Sequence, residues 1–508
     1  MKFLDSLAEA IGINNTAFNR TAAVFTIVAF ISLLIAAGCG GGGSGSGGSG
    51  VTGSYDSSTS STSLDSTGST TTATASPTAS PTVASTASPA PSGTPPAAPP
   101  GGSSSPSPSS TNSSVTIAAT YLQDGGTSTK SSQTYESSTT DTSGVGVINA
   151  GVLTLTDSTI TTSGGTSSLD NSSFYGLNAG VIATSGSTIT MSNCKVTTTG
   201  SGANGVFSTG TGSNVSLSDV IISCTGQGGH GVDATVGGTM KLTNVTITTA
   251  GANGAAIATD RGSGTITVTG GSVSTSGADS PGIYSTGVIT VTGATIAATG
   301  AEAAVIEGAN TITLTDTKLS GSIKRGVMIY QSMSGDAEGS KGTFTMTGGS
   351  LSADVGPLFY VTNATGVITL SGVTLTATSG TLVSAAADSW GTTGSNGGNA
   401  VLTADGQTMT GNLITDSYST ITATLKNSST LTGSINSAAL TLDASSTWNV
   451  TANSTLTSLS DTSGISGTTI TNIVGNGFTV TYDSSLSANS ALGGLTYTLS
   501  GGGTLAPK

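Results

Sequence analysis

A repeated segment of 12 residues limits the fold of this chain more than any other feature of its sequence. Nine copies align without gaps, and each pairs two short runs in which apolar residues alternate mainly with Thr or Ser, as in ITVTGATIAATG. Alternation with a period of two is typical of β-strands that bury one face. Strand repeats of about 20 to 30 residues are typical of solenoids, in which each repeat buries its apolar face against its neighbours. The copies begin at Leu153, Ile189, Val215, Met240, Ile266, Ile289, Ile312, Phe344 and Ile368.

Three columns of the repeat predict how each coil folds. The third and eighth positions are aliphatic or Met in every copy, so we expect them to fill the core. The fifth position is always Asp, Asn or Gly, residues that tolerate positive φ, and it predicts a tight turn between two strands. A further short strand follows in most copies, such as GVFST at 205–209. The sequence therefore predicts an all-β fold, a single-stranded right-handed parallel β-helix, with regular coils over 116–400 and shorter coils with a C-terminal cap over 401–508.

The first 38 residues predict an export segment. Residues 21–38 form an uncharged apolar run that ends in Ala-Ala-Gly directly before Cys39. This arrangement resembles the signal peptide of bacterial lipoproteins, in which small residues precede a Cys that is lipidated and becomes the mature amino terminus. The resemblance implies lipidation of Cys39 and attachment to a membrane, and Gly40 in the next position implies the bacterial outer membrane. An uncleaved single-span anchor and ordinary secretion are the alternatives, because about 18 apolar residues is the lower limit for a membrane span.

Residues 39–115 predict a disordered stalk. The stretch begins with Gly and Ser, and ten of the thirteen prolines then lie between Pro77 and Pro108. Gly/Ser-rich chains behave as flexible coils, whereas prolines stiffen the chain toward polyproline II. We expect a plain spacer, with a glycosylated stalk as the alternative, that could hold a domain roughly 100 Å from the membrane.

Composition excludes several classes of function. Only 7% of the residues are charged and the net charge is −13, which excludes a nucleic-acid binder because such proteins need a basic surface. One histidine and three cysteines leave little for a metal centre or a catalytic triad, and we predict no metal and no cofactor. We interpret His230 as structural or exposed. Cys194 and Cys224 occupy different positions in neighbouring coils, which favours two free thiols over a disulfide.

One set of charged residues is a candidate binding site. Asp279, Glu302 and Arg325 are separated by 23 residues each and share one offset within their coils, so we expect them to stack on one face. They form either a solvated row of loop charges or a patch that binds saccharide. We assign no catalytic residue, because a lyase needs clustered acids with a base and a hydrolase needs paired carboxylates about 5 to 10 Å apart.

A second candidate surface lies on the short strand that ends each coil. Phe207, Tyr284 and Met328 stand two positions after the residue that opens this strand, as do Ile306 and Phe359. If these side chains point outward, they form an apolar and aromatic stripe suited to sugar rings or a partner protein. If they point inward, the residues one position earlier face solvent instead. We favour an inward orientation for that second set, which comprises Val206, Ile283, Val305 and Val327.

The C-terminal part of the chain resembles the passenger domains of pertactin-like autotransporter adhesins. In that family a coil with Trp, here Trp448, and a Ser-x-Leu-x-x-Leu pattern, here Ser454, Leu456 and Leu459, close the helix. The resemblance implies adhesion without catalysis. Such passengers are followed by a membrane barrel, for which the sequence up to Lys508 leaves no room, so we expect anchoring through the amino terminus.

Together these features predict an exported, membrane-anchored protein that presents a β-helical rod at the cell surface. We expect the rod to serve adhesion or envelope interaction, with a polysaccharide or the surface of a host or neighbouring cell as partner. A polysaccharide lyase or glycoside hydrolase acting on the lateral face is one alternative. A passive surface scaffold is the other.

Lipidation predicts a direct result for Cys39→Ser. The variant should lose acyl labelling and membrane retention, because the thiol that carries the lipid is absent. Labelling with an alkyne fatty acid and membrane fractionation, beside the unsubstituted chain, measure both. A Cys39→Ser variant that keeps its label and stays with the membrane would refute the lipoprotein interpretation.

Overall fold

The computed structural model of the chain describes residues 115–461 and 463–508, which form an all-β parallel β-solenoid of about 16 coils. The fold class predicted from the repeat is therefore confirmed. The predicted export segment 1–38, the lipidation candidate Cys39 and the stalk as far as residue 114 lie outside the described residues. Within the described ranges, no helix is long and apolar enough to cross a membrane.

Each regular coil supplies one strand to each of three ladders, which we name in the order of the repeat. The first ladder holds the strands before the turn column, and every step along it is parallel. Its strands are Thr127–Ser131, Val152–Thr156, Thr188–Ser192, Asn214–Ser218, Thr239–Thr243, Thr265–Thr269, Val288–Thr292, Thr311–Thr315, Lys341–Thr347, Thr365–Ser371, Asn399–Asp405, Thr420–Lys426, Ile435–Leu442, Ser454–Ser460, Thr479–Tyr482 and Thr504–Pro507.

The second ladder follows the turn column and forms a separate 10-stranded sheet, continued in the shorter coils by strands of the main sheet. The ten strands are Thr134–Ser137, Thr159–Thr162, Lys195–Thr198, Ile221–Cys224, Thr246–Thr249, Ser272–Thr275, Thr295–Ala298, Lys318–Gly321, Ser350–Ala353 and Thr374–Ala377. The strands that continue it are Thr408–Thr410, Thr430–Gly433, Thr447–Val450, Thr469–Val474 and Tyr497–Ser500.

The third ladder completes each coil and carries the candidate sites. Its strands are Ala118–Asp124, Thr142–Ile148, Val181–Ala183, Val206–Thr209, Val232–Thr235, Ile257–Thr259, Ile283–Ser285, Ala304–Glu307, Val327–Tyr330, Phe359–Thr362, Thr381–Ala385 and Asn412–Thr415. Near the C terminus two antiparallel contacts occur, between Ile465–Ser466 and Thr469–Val474 and between Tyr497–Ser500 and Thr504–Pro507.

The turn column behaves as its residue types predict. Every member has positive φ, between 48° and 69°. Side chains with a Cβ rarely adopt this conformation, and Asn, Asp and Gly adopt it most readily. The column consists of Asp157, Asn193, Asp219, Asn244, Gly270, Gly293, Asp316, Gly348 and Gly372.

The aliphatic columns form one continuous core. Each third-position side chain, from Leu155 to Leu370, is at most 2% exposed, and the eighth-position side chains are buried except Leu375, which is half-buried. Trp448 is fully buried near the C-terminal end, where its Nε1 donates to the Gly433 carbonyl over 2.9 Å. The stacked core is therefore the main source of stability, at about 1.5–3 kcal/mol for each fully buried large aliphatic side chain.

Three further features complete the scaffold. Cys194 and Cys224 are buried free thiols, as the sequence predicts. The longest repeat interval contains a short helix that the sequence reasoning did not anticipate, α1 (Leu169–Tyr175), capped by the Ser168 hydroxyl and by left-handed Gly176. A 3-10 helix spans Ser487–Leu492.

The turn column predicts a difference between two substitutions of Gly293. Its φ is 69°, and an added Cβ would find no atom within 4 Å, so any cost comes from the backbone alone. Gly293→Val should lower the free energy of unfolding by about 1–2 kcal/mol, while Gly293→Asn should cost clearly less. Urea unfolding measures both. Equal losses of unfolding free energy for Val and Asn would contradict the conclusion that positive φ selects the residues of this column.

Candidate functional site

The outer face of the third ladder carries the chemistry-bearing side chains. The second residue of most strands points away from the core, and parallel pairing aligns these residues in one column. The column runs Ile182, Phe207, Asp233, Ala258, Tyr284, Val305, Met328 and Tyr360.

The register of this column shows which of the two alternative sets of side chains points outward. Phe207, Tyr284 and Met328 point outward, and Val206, Ile283 and Val327 lie in the core, as we favoured from the sequence. The interpretation is wrong in two coils, where Ile306 and Phe359 lie in the core and Val305 points outward. The reason is register: Ala304 and Phe359 align with the core residues of neighbouring strands, one position away from where the opening residue suggested.

The predicted stripe is outward but covered. Phe207 and Met328 are 0% exposed and Tyr284 is 6% exposed, so the expectation of an accessible stripe is wrong for them. At Phe207 the cover comes from the end of α1, since a Cβ on Gly176 would lie 2.6 Å from its ring. Whether these residues bind a ligand stays a prediction.

The predicted charged set forms a partly buried ion-pair network, which we define as Asp279, Glu302, Lys324, Arg325 and Asp388. Glu302 accepts from Arg325 over 3.0 Å, and a second nitrogen of Arg325 lies 3.5 Å from Asp388. Asp279 pairs with Lys324 instead. The Glu302 side chain is only 1% exposed, so a freely solvated row of charges is ruled out at this position.

Arg325 occupies the centre of this network. Its guanidinium carbon lies 4.2 Å from the ring centroid of Tyr360, whose hydroxyl donates to Asp388 over 2.8 Å. Burial, with the Asp388 carboxylate second, raises the pKa of Tyr360. The guanidinium therefore compensates two carboxylates and stacks on an aromatic ring at once.

A second group of acids lies further along the same face. Glu307 accepts hydrogen bonds from the hydroxyls of Tyr284 over 2.5 Å and of Tyr330 over 2.8 Å, and it is 1% exposed. Burial, followed by the charge of Glu307, raises the pKa of both tyrosines well above the usual range, so they act as hydrogen-bond donors. Asp336 pairs with Arg261 over 3.0 Å.

Three buried residues adjoin these acids and were missed by the sequence reasoning. His230, Asp233 and Asp260 are 7%, 0% and 2% exposed. Burial, with repulsion from Asp336 second, raises the pKa of Asp260 to about 8, and burial raises the pKa of Asp233 well above its usual range. Burial lowers the pKa of His230 to about 4, which makes the imidazole neutral. The available signal was the alignment of Asp233 with the outward Phe207 column.

Beside the acids lies an open groove of about 1300 Å³, which we call the lateral groove. It follows the corner between the third and first ladders, from the coil of Arg261 to the coil of Asn399. Its lining is mainly amides, hydroxyls and backbone, with few charges. The lining includes Arg261, Asn310, Gln331, Asp336, Asn363 and Asn399.

The geometry keeps four of the acids away from the groove, whereas Asp336 and Glu338 line it. The carboxylates of Asp233, Asp260, Glu302 and Glu307 are too deeply buried for a polymer to reach them. A glycoside hydrolase needs two carboxyl groups flanking the bond that it cleaves. The groove itself offers hydrogen-bonding groups that suit hydroxyl-bearing ligands.

Comparisons with protein-family models, curated proteins and solved structures gave no match to this chain. Parallel β-solenoids serve unrelated functions, so the fold alone assigns none. The resemblances to pertactin-like passengers and to lipoprotein signal peptides therefore stay predictions, and the function has to be argued from the site.

The ion-pair network predicts a strong effect for Arg325→Leu. The substitution leaves Glu302 buried without its cation, and we expect the free energy of unfolding to fall by about 3–5 kcal/mol. The double variant Arg325→Leu/Glu302→Gln should recover much of this loss, because no buried charge is then left unpaired. Chemical denaturation measures both.

The exposed pair Lys426–Asp405, with side chains 43% and 36% exposed, provides the control. Lys426→Leu should shift the unfolding midpoint far less than Arg325→Leu, because water screens exposed ion pairs. If Arg325→Leu shifts the unfolding midpoint no more than Lys426→Leu does, then Arg325 and Glu302 do not stabilise the fold as a buried ion pair.

Proposed function

We propose that this chain is an exported lipoprotein that presents a β-solenoid at the bacterial cell surface, where the lateral groove binds a hydroxyl-rich polymer such as a polysaccharide. In this proposal the polymer belongs to the cell envelope or to a host or neighbouring cell. Binding is not accompanied by cleavage, and the membrane is contacted only through the lipidated Cys39.

The lateral groove carries this proposal. It crosses six successive coils, and with strands about 4.8 Å apart it extends for roughly 24 Å along the rod. A groove of this length parallel to the rod suits a linear polymer better than a compact metabolite. Each of the Asn310, Asn363 and Asn399 amides donates one hydrogen bond within the protein. An amide has a second N–H and two acceptor lone pairs, so donors and acceptors of the kind that sugar hydroxyls require remain.

The sparse charge of the groove supports a neutral ligand. Asp336 is tied to Arg261, and Glu338 is the other acidic residue among the groove residues that the structure describes. A strongly charged polymer would leave its own charges without counterions in this lining. Because Met333 is 72% exposed at the rim, it offers apolar contact to the faces of sugar rings.

The burial of the acids supports binding without catalysis. Glu307 does not take part in the groove, because its carboxylate accepts hydrogen bonds from two tyrosine hydroxyls and a serine hydroxyl. The role of Arg325 and Glu302, the candidates from the sequence, is then to hold the loops that border the site. The sequence features at Cys39 and along residues 39–115 support the export and presentation of the rod.

Binding is tested by titrating the full chain with a panel of soluble neutral and charged polysaccharides. At least one neutral polymer should bind, and Ser340→Trp should weaken its affinity at least about tenfold, or roughly 1.4 kcal/mol, by filling the groove. Ser274→Trp is the matched control, since Ser274 is exposed on the second ladder and its substitution should leave affinity unchanged.

Two outcomes would overturn the proposal. The groove is not the binding site if no polymer binds, or if both tryptophan variants bind as the unsubstituted chain does. Release of unsaturated or reducing-end products that stops in Ser340→Trp would instead show a lyase or hydrolase acting on the same face.

A further inference from the structure

Three buried side chains converge beneath the lateral groove without lining it. Asp233 is the second residue of the strand Val232–Thr235, and His230 lies just before that strand. Asp260 directly follows the strand Ile257–Thr259 of the next coil. One ligand atom from each of the three side chains lies within 4.8 Å of the other two.

Several polar atoms at this point lack a hydrogen-bond partner within the part of the chain that the structure describes. Both carboxylate oxygens of Asp233 and Nδ1 of His230 find no hydrogen-bond partner among residues 115–461 and 463–508. Buried polar atoms normally have a hydrogen-bond partner, because a polar atom buried without one destabilises the folded state. Asp260 accepts only the backbone N–H of Arg261, over 2.9 Å, among the hydrogen bonds of the described residues. Since one ligand atom of each side chain lies close to the other two, a single bound ion could contact all three side chains.

The charge balance calls for a cation. Arg261, the residue directly after Asp260, pairs through one nitrogen with Asp336 at 3.0 Å and stacks on Phe174, 3.9 Å from its ring centroid. Asp233 and Asp260 are both buried and lie close together, so their carboxylates repel each other when both are ionised. A neutral ligand would leave this repulsion in place.

There is room beside these residues for an ion that keeps a water ligand. A cavity of about 40 Å³ is lined by His230 and Asp260 together with Tyr284, Glu302 and Tyr330. A water molecule needs about 10–15 Å³ of such space. Ala255 contributes a small side chain to the lining, and a larger side chain there would fill the cavity.

We propose that His230, Asp233 and Asp260 bind a divalent first-row metal ion, and that Zn²⁺ fits them best. Two carboxylates match the charge of a divalent ion, and the imidazole favours such metals over Ca²⁺ or Mg²⁺. Three protein ligands with one water are a common tetrahedral arrangement for Zn²⁺. Ligand atoms about 2.1 Å from a tetrahedral ion lie about 3.4 Å apart. Side-chain rotations that move the ligand atoms by roughly 1 Å would bring them to this separation.

This site is independent of the lateral groove and of polymer binding. From the sequence we predicted no metal, because the chain has only one histidine and few cysteines. The fold supplies what the count could not show, since it places the single histidine beside aspartates from two neighbouring coils. The bound ion would pin the two coils together in the region that supports the ion-pair network.

Calorimetric titration of the chelator-treated full chain with Zn²⁺, Mn²⁺, Ca²⁺ and Mg²⁺ tests the proposal. We expect one Zn²⁺ per chain with micromolar or tighter affinity, weaker Mn²⁺ binding, and a higher Tm in the Zn²⁺-loaded protein. Asp233→Asn and His230→Gln should each weaken Zn²⁺ binding at least about tenfold. Asp157→Asn is the matched control, because Asn occupies the same turn column in other coils. The affinity of this variant for Zn²⁺ should not change.

X-ray absorption of the Zn²⁺-loaded, unsubstituted chain keeps the test decisive if a variant fails to fold. The expected spectrum has one imidazole nitrogen and oxygen ligands without sulfur. Sulfur ligation, the absence of imidazole, binding that survives both substitutions, or no binding of any of the four ions would overturn the proposal.

Discussion

Parallel hydrogen bonding between equivalent residues of successive coils is the constraint on which the rest of this structure depends. It places every side chain directly above its counterpart one coil earlier, so a position in the repeat has one environment along the whole rod. An aliphatic column becomes a continuous core, and a column of Asp, Asn and Gly becomes a row of left-handed turns. Change is tolerated mainly in the loops, where the 36-residue interval accommodates α1.

The same constraint explains how the sites arise. The outward column of the third ladder varies between aromatic, aliphatic and acidic residues from coil to coil. Loops from the longer coils cover part of this column and leave the lateral groove open beside it. Charged residues under these loops must then be paired, as Glu302 is with Arg325, or must bind something else, as we propose for Asp233. The same face of the rod therefore holds both the ion pairs that stabilise the fold and the groove that we propose binds a ligand.

The sequence predicted those features that a local rule determines. The turn column followed from the φ preferences of its residues, and the stacking of Glu302 and Arg325 followed from equal spacing. It could not assign the faces of the third ladder in every coil, because strands such as Val327–Tyr330 are buried on both sides and show no alternation. The convergence of His230, Asp233 and Asp260 was also hidden, since it depends on the register of two neighbouring coils and on the paths of the loops beside their strands.

Hydrogen–deuterium exchange with and without a bound neutral polysaccharide locates the binding surface, which we propose is the lateral groove. Protection should be confined to the loops that line the groove, 331–340 and 395–399, while the second ladder exchanges at unchanged rates. Protection along the second ladder, or unchanged exchange throughout the groove at saturating polymer, would contradict the assignment of this face to binding.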